Sequence, residues 1–310
     1  MLIQTLDSVQ EDLVRWATTG IPRVPTGYRV VDEPAGGGPA PGELLMFIAR
    51  PGVGKTFWAL NVVAKNPHIP TVMVSLEMHS RYILKRLAAI YTGTPTANIE
   101  WKLTTEGHSP AVQQTVEAFP RLVMWDEPGV GVDDLHRILD EYRELKQEDP
   151  KLVVIDFLEL IRSFGATETE SVKRIAMELK DFAREQDAVV MVLHQVSRGV
   201  AVKERGAKQA FVDEGHRPLT KGNAAHGGEY SADYMVGAYR PALDPALADF
   251  QREGMKRDFR LQLLKSRGDG EYSTKGVQHD WDPATGRITE LNWDYWRDPT
   301  GAPWPGSVGT

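Results

Sequence analysis

The chain's 310 residues contain no cysteine. That excludes disulfide staples, thiolate nucleophiles and cysteine-ligated zinc together, and it fits a reducing compartment such as the cytoplasm. Long hydrophobic runs are also missing. No apolar stretch nears the ~20 residues needed to span a bilayer, so no membrane function is expected. The first residues, MLIQTLDSVQEDLVRW, are acidic and amphipathic and lack the basic start of a signal peptide. Positive charge is in the minority, with a net −7. A protein that coats nucleic acid with its whole surface is therefore excluded, whereas binding through a few basic loops is not, because phosphate contacts need only a local field.

The hydrophobic share, 41%, is enough for a substantial core. Leu2, Leu6, Val9, Leu13 and Trp16 recur at steps of four and three and predict a helix over 2–16. Its apolar stripe packs either on its own domain or on a neighbouring subunit. The next stretch, GIPRVPTGYRVVDEPAGGGPAPGE, is dense in Pro and Gly and reads as linker and turns.

Strand-like runs then alternate with helical patterns. Strands are predicted at 44–49, 71–76, 121–125, 151–155 and 188–193, and helices at 55–65, 81–91, 132–148 and 171–184. On the last helix Val172, Ile175, Ala176, Leu179, Phe182 and Ala183 keep to one face. This alternation predicts an α/β fold, a mainly parallel sheet with helices on both faces. From residue 233 the pattern becomes β-rich, with strands predicted at 234–239, 259–265, 272–281 and 287–293 and a tight turn at Ser266-Arg267-Gly268-Asp269-Gly270. The organisation expected is a linker helix (1–20), one large domain (21–298) and a loose tail (299–310).

ARPGVGKT (49–56) follows a predicted strand and opens a predicted helix, the context that makes a phosphate-binding loop physical. Ala49 stands where the strict pattern has glycine. Gly52 and Gly54 let the main chain turn its amides inward, and the helix N-terminus adds positive potential. Arg50, Pro51, Val53 and Phe57 complete the candidate loop. Lys55 is suited to reach the β- and γ-phosphates of ATP, and Thr56 to give its hydroxyl oxygen to Mg²⁺. In KLVVIDFLELI (151–161) an apolar strand ends at Asp156, a second Mg²⁺ ligand candidate at the sheet edge where ligands bind. Glu77, in VSLEM (74–78) at the end of another strand, is a candidate to orient and deprotonate water beside a triphosphate; alone it would read as a solvated loop residue. His194 and Gln195 end another strand of the series and could sense the γ-phosphate. The long polar segment 198–222 carries Arg198, Lys203, Arg205, Lys208, Arg217 and Lys221 and reads as a loop that grips a nucleic-acid backbone, or as a solvated insertion.

In this order, the motifs resemble the RecA-like motor domain of DnaB-type replicative helicases. The resemblance runs over residues 20–275, through VSLEM, IDFLELI, VLHQVSR and KSRGDGE. It implies a homo-oligomeric ring, usually hexameric, with ATP and Mg²⁺ held between subunits. Lys55 and Thr56 would bind phosphate and Mg²⁺, Asp156 would hold Mg²⁺, and Glu77 would be the base. Gln195 would couple the γ-phosphate to single-stranded DNA. Lys265 and Arg267 would reach the neighbour's nucleotide, Arg240 would help hold the base, and the loop after His194 would line the channel. The N-terminal helix would dock on the adjacent subunit. The resemblance further implies 5′-to-3′ movement during replication, in the cytoplasm of a bacterium or a phage-infected host, with a primase or loader as partner. Three departures stand out: about twenty residues precede the match, where the group often has a helical domain; His194 replaces a small hydroxyl residue; and the segment 222–233 is longer than usual for the group. A RecA-like recombinase or mediator, and a non-motor ATPase loader or switch, are the alternative readings.

Overall fold

The computed structural model describes residues 5–18, 23–162, 168–196, 216–220, 231–267 and 276–291. A nine-stranded sheet runs through it in the order β3-β2-β4-β5-β1-β6-β7-β8-β9. The strands are β1 (Leu44–Ala49), β2 (Thr71–Ser75), β3 (Leu122–Trp125), β4 (Leu152–Asp156), β5 (Val189–Gln195), β6 (Tyr234–Tyr239), β7 (Asp258–Lys265), β8 (Val277–Trp281) and β9 (Ile288–Glu290). From β3 to β6 the pairing is parallel. From β6 to β9 it is antiparallel. The helices are α1 (Leu6–Thr18), α2 (Arg29–Asp32), α3 (Lys55–Lys65), α4 (Ser80–Thr92), α5 (Thr96–Glu106), α6 (Pro110–Ala118), α7 (Val132–Lys146), α8 (Glu168–Gln186) and α9 (Asp249–Gly254).

Side-chain alternation along β1 sorts the core into two layers. Leu45, Phe47 and Ala49 face one side with Trp58 of α3 and Ile83 and Leu87 of α4. Leu44, Met46 and Ile48 face the other with α7 and α8, through Leu135, Leu139, Leu179 and Phe182. Every residue of β1 is buried because both faces are covered. Phe47 stacks on Trp58 with ring centroids 4.2 Å apart, which fixes α3 against the strand that feeds it.

Several elements differ from the sequence expectation. The stretch 20–43 is more than a linker: Val24, Tyr28 and Val31 are buried in the main core, and Tyr28 stacks on Trp58. Pro and Gly mark turns there, and turns do not exclude burial. Helices α5 and α6 were not expected; α5 buries only Ile99 and exposes Trp101 and Leu103, so it has no apolar stripe to read. Strand β3 is half-buried throughout, as befits a sheet edge. On α1, Leu6 and Leu13 are 87% and 57% exposed and Val9 is exposed as well. The expectation that this stripe packs on its own domain fails for these residues. The predicted tail, 299–310, and the turn residues 268–270 lie outside the described residues. Among those described, no helix is long and apolar enough to cross a membrane.

Asn61 of α3 ties the phosphate-loop helix to the C-terminal hairpin. Its buried amide donates to Gly286 O at 2.8 Å and to Phe57 O at 2.8 Å, and its oxygen accepts from Ile288 N at 2.9 Å. Asn61→Leu leaves the Gly286 carbonyl and the Ile288 N–H buried and unpaired. It is expected to lower unfolding stability by about 2–4 kcal/mol, read from urea unfolding midpoints. An unchanged midpoint would mean that the hairpin repairs its own bonds.

Candidate active site

The C-terminal ends of the parallel strands converge on one edge, the edge at which open α/β sheets bind ligands. Ala49, Ser75, Asp156, Gln195 and Tyr239 end β1, β2, β4, β5 and β6 there. From Ala49 the chain passes through Arg50-Pro51-Gly52-Val53-Gly54 into α3. Gly52 and Gly54 have φ of +76° and +117°, the left-handed region that favours glycine. A Cβ at Gly52 would meet nothing within 4 Å, so the requirement there is conformational rather than steric. Val53 is buried, and the Phe57 ring lies 5.8 Å from Trp281. Their main chains, not their side chains, are what a phosphate can use. Arg50 is also buried, and its Nη1 donates to Arg217 O at 3.0 Å, which anchors the described end of the predicted nucleic-acid loop beside the phosphate loop.

Thr56 Oγ1 donates to Asp156 Oδ2 at 2.7 Å. Asp156 is fully buried, and its Oδ1 has no hydrogen-bond partner among the described residues. Burial raises the Asp156 carboxyl to about 6; the Thr56 bond, Lys55 and Arg86 work against the rise, and Glu77 adds to it. A hydroxyl and a carboxylate with one orphaned oxygen form a hard-oxygen donor pair. This set fits Mg²⁺, which keeps several waters and takes only one or two protein ligands. Among the described residues no group of three or more His, Asp or Glu could hold a metal by itself, so phosphate oxygens would complete the shell. Bound there, Mg²⁺ would neutralise charge on the phosphates.

Lys55 Nζ donates to Gln195 Oε1 at 3.1 Å. Burial pushes the Lys55 ammonium below the ordinary lysine range, while Glu159, Asp156 and Glu77 hold it up. Glu77 is exposed on the turn after β2, and Ser75 closes that turn by donating to Met78 O at 2.6 Å. The register pairs Ser75 with Asp156, which brings the two carboxylates to neighbouring strand ends.

Two residues of this edge were missed from sequence. Arg86 of α4 feels Asp156 and Glu77 as counter-charges and sits 4.8 Å from the Phe57 ring centroid. One cation among several on a helix gives no sequence signal. Glu159 lies within the IDFLELI motif, and its Oε1 accepts from Gln195 N at 2.7 Å. His194 is buried, with Nδ1 2.8 Å from the same oxygen. Glu159 thus joins the turn after β4 to the end of β5.

Other predicted residues sit elsewhere. Arg240 follows β6 at the phosphate-loop edge, but its guanidinium lies 3.5 Å from the Trp281 ring centroid and donates to Lys256 O at 3.0 Å. Burial lowers it to about 10. Lys265 and Arg267 lie at the opposite edge: Lys265 pairs with Met235 at the start of β6, and Arg267 Nη1 is 2.7 Å from Asp233 Oδ1. Six residues of β1 separate the edges, about 20 Å at the strand rise. The structure therefore does not bring them to this chain's own phosphate loop. Arg217 is exposed, while Arg198, Lys203, Arg205, Lys208 and Lys221 lie outside the described residues.

The raised Asp156 value sets a sign for stability. The folded carboxyl holds its proton more tightly than the unfolded one, so its ionisation costs the fold nothing below pH 4 and the full amount above pH 6. The full cost is ~3 kcal/mol. Asp156→Asn removes it. The variant should melt higher than wild type at pH 8 without ligands, the gap should close between pH 6 and 4, and nucleotide turnover should be lost. Equal melting at pH 8 would show that the buried charge is already compensated.

Comparisons with known proteins agree with this geometry. The family model for the DnaB-like helicase C-terminal domain matches residues 23–212. The replicative DNA helicase DnaC of Bacillus subtilis (strain 168) is 29% identical over 213 residues, covering 66% of this chain and 46% of the relative. The chain thus spans about half the length of the curated relatives it matches. Among solved structures, one described as an ATPase domain superposes with a TM-score of 0.73 at 22% identity, covering 94% of this chain and 100% of that one. A DnaB-like replicative helicase, described with its interactions with primase, superposes with a TM-score of 0.69 at 24% identity, covering 94% and 69%. These two likenesses speak for the fold, a RecA-like ATPase domain. With the family model covering more than half of its length, the chain belongs to the DnaB-like helicase C-terminal domain family.

Proposed function

We propose that the chain is the motor of a DnaB-type DNA helicase, hydrolysing ATP with Mg²⁺ between the subunits of a hexameric ring and moving 5′ to 3′ on single-stranded DNA during replication in the cytoplasm. One observation carries the reading: Lys55, Thr56, Asp156, Glu77 and Gln195 gather at one sheet edge, while Lys265 and Arg267 stand at the other, about 20 Å away. Lys55 and Arg86 are cations this chain supplies at that edge, and a neighbour's Lys265 and Arg267 would add to them. In this scheme Lys55 and the main-chain N–H groups of residues 52–57 hold the phosphates, and Thr56 and Asp156 hold the metal ion. Glu77 orients the attacking water and takes its proton. Gln195, released when the γ-phosphate draws Lys55 away, reports nucleotide state to the DNA loop that carries Arg198, Lys203, Arg205, Lys208, Arg217 and Lys221. Arg240 borders the base. Residues 1–20 serve as a linker helix, whose exposed Leu6 and Leu13 suit burial against an adjacent subunit. A primase or a helicase loader is the protein partner of this reading.

The direct test is the steady-state ATPase rate with and without single-stranded DNA, for wild type and Glu77→Gln. Strong stimulation by DNA, lost in the variant, is expected. Hydrolysis indifferent to DNA would identify a loader or switch instead, and open filaments on DNA would identify a recombinase. Lys55→Ala is expected to weaken nucleotide binding itself. Arg267→Ala should bind ATP nearly normally while turnover falls by ~10³ or more. Normal turnover in that variant would remove Arg267 from the neighbour's site.

A further inference from the structure

Arg267 is exposed over 64% of its side chain, yet it has a fixed partner. Its Nη1 meets Asp233 Oδ1 at 2.7 Å, and Asp233 is only 3% exposed. The other oxygen of Asp233 accepts from Leu44 N at 2.8 Å and from Lys180 Nζ at 2.6 Å. The main chain closes the same junction, with Asp233 N donating to Leu44 O at 2.9 Å. Lys180 also donates to Gly42 O at 2.6 Å, which pins α8 to the start of β1.

A buried carboxylate needs a counter-charge and hydrogen bonds. Lys180 and the Leu44 N–H already supply both. Asp233 therefore does not require Arg267 to tolerate its burial, and the pairing acts chiefly on Arg267. A long, exposed arginine samples many rotamers, and a buried carboxylate paired with its guanidinium restricts them. The same carboxylate grips the first residue of β1, and the last residue of that strand leads into this chain's own phosphate loop.

We propose that Asp233 is a positioning residue for Arg267, holding the guanidinium ready for the neighbouring subunit's nucleotide and joining it through β1 to this chain's own phosphate loop. The inference rests on the reading that Arg267 acts in trans. When Arg267 turns from the carboxylate to phosphoryl oxygens, Lys180 remains to neutralise Asp233, so the exchange strands no buried charge. Asp233 touches no nucleotide itself; it acts through the geometry of Arg267, where a misplacement of about 1 Å can cost ~10²-fold in rate.

The experiment is a double-mutant cycle on DNA-stimulated ATP hydrolysis, with KM for ATP, ring assembly by mass photometry and melting temperature measured for each variant. Asp233→Ala strips Lys180 of its counter-charge, leaving its bond to Gly42 O, and tests the largest perturbation. Asp233→Asn keeps an acceptor for Leu44 N and serves as the well-folded variant. Both should lower kcat by about tenfold or more with little change in KM, and in the Arg267→Ala background Asp233→Asn should add nothing further. An unchanged kcat in both single variants overturns the proposal. So does an equal loss of kcat from Asp233→Asn with and without Arg267, because Asp233 would then act through the fold alone. Normal turnover of Arg267→Ala by itself overturns the trans reading and the proposal with it, and that result is distinguishable from a failure of Asp233 alone.

Discussion

A carboxylate at the end of an apolar parallel strand is the constraint on which the rest of the molecule depends. Both faces of β4 are covered, by α3 and α4 on one side and by α7 and α8 on the other, so water cannot solvate Asp156. Its compensation is therefore local: the Thr56 hydroxyl on one oxygen and the fields of Lys55 and Arg86. Thr56 can reach Asp156 only if α3 starts where it does. That in turn requires the left-handed backbone of Gly52 and Gly54 between strand and helix. The stacking of Phe47 on Trp58 and the clamp of Asn61 on the β8–β9 hairpin keep α3 at that height and rotation. Oδ1, unpaired among the described residues, is what this arrangement leaves over, and it is the feature a divalent cation would relieve.

The sheet has chemistry at both ends. Phosphate-loop residues occupy the C-terminal edge of the parallel strands, and the cations of the β7 end occupy the other. The switch to antiparallel pairing after β6 produces this division. A seventh parallel strand would have ended beside the phosphate loop, whereas β7 runs back and delivers Lys265 to the start of β6. On the proposed reading, one subunit would carry half of two sites. A ring that repeats such an interface would complete every site, because a head-to-tail interface leaves no unsatisfied half once it closes.

Legibility in the sequence followed the range of the interaction. Strands β1 and β6 and helix α3 were read with the bounds observed, because continuous apolar runs and a glycine-rich loop mark their limits within a few residues. The strand–loop–helix context of residues 49–56 and the strand end at Asp156 were legible for the same reason, since each belongs to a compact motif. Glu159 was visible as a letter of a motif, but its role was not, since its partner Gln195 lies on another strand and only the parallel register of β4 with β5 brings them together. Arg86 was hidden for the converse reason: its helix announces a surface, and only the packing of α4 over α3 turns that cation toward Asp156. The segment 20–43 shows the limit of turn chemistry as evidence. Its Pro and Gly residues describe how the backbone bends, while Tyr28 and Val31 determine where it is buried.

The grip on Gln195 bears on how nucleotide state can leave the site. Its main-chain N–H is held by Glu159, on the turn that follows β4, and its side-chain oxygen is held by Lys55. These two bonds differ in what a triphosphate does to them. A γ-phosphate competes for the Lys55 ammonium with more charge than an amide oxygen offers, so the side-chain bond is the one that yields. The main-chain bond has no such competitor, and His194, buried at 2.8 Å from the same Glu159 oxygen, fills the space beside it. Strand β5 therefore stays in register with β1 while the amide of Gln195 is set free to turn. A signal carried this way moves one side chain at the mouth of the following loop and leaves the sheet intact. That would suit the proposed motor, whose sheet would also have to hold a rigid distance between two nucleotide sites.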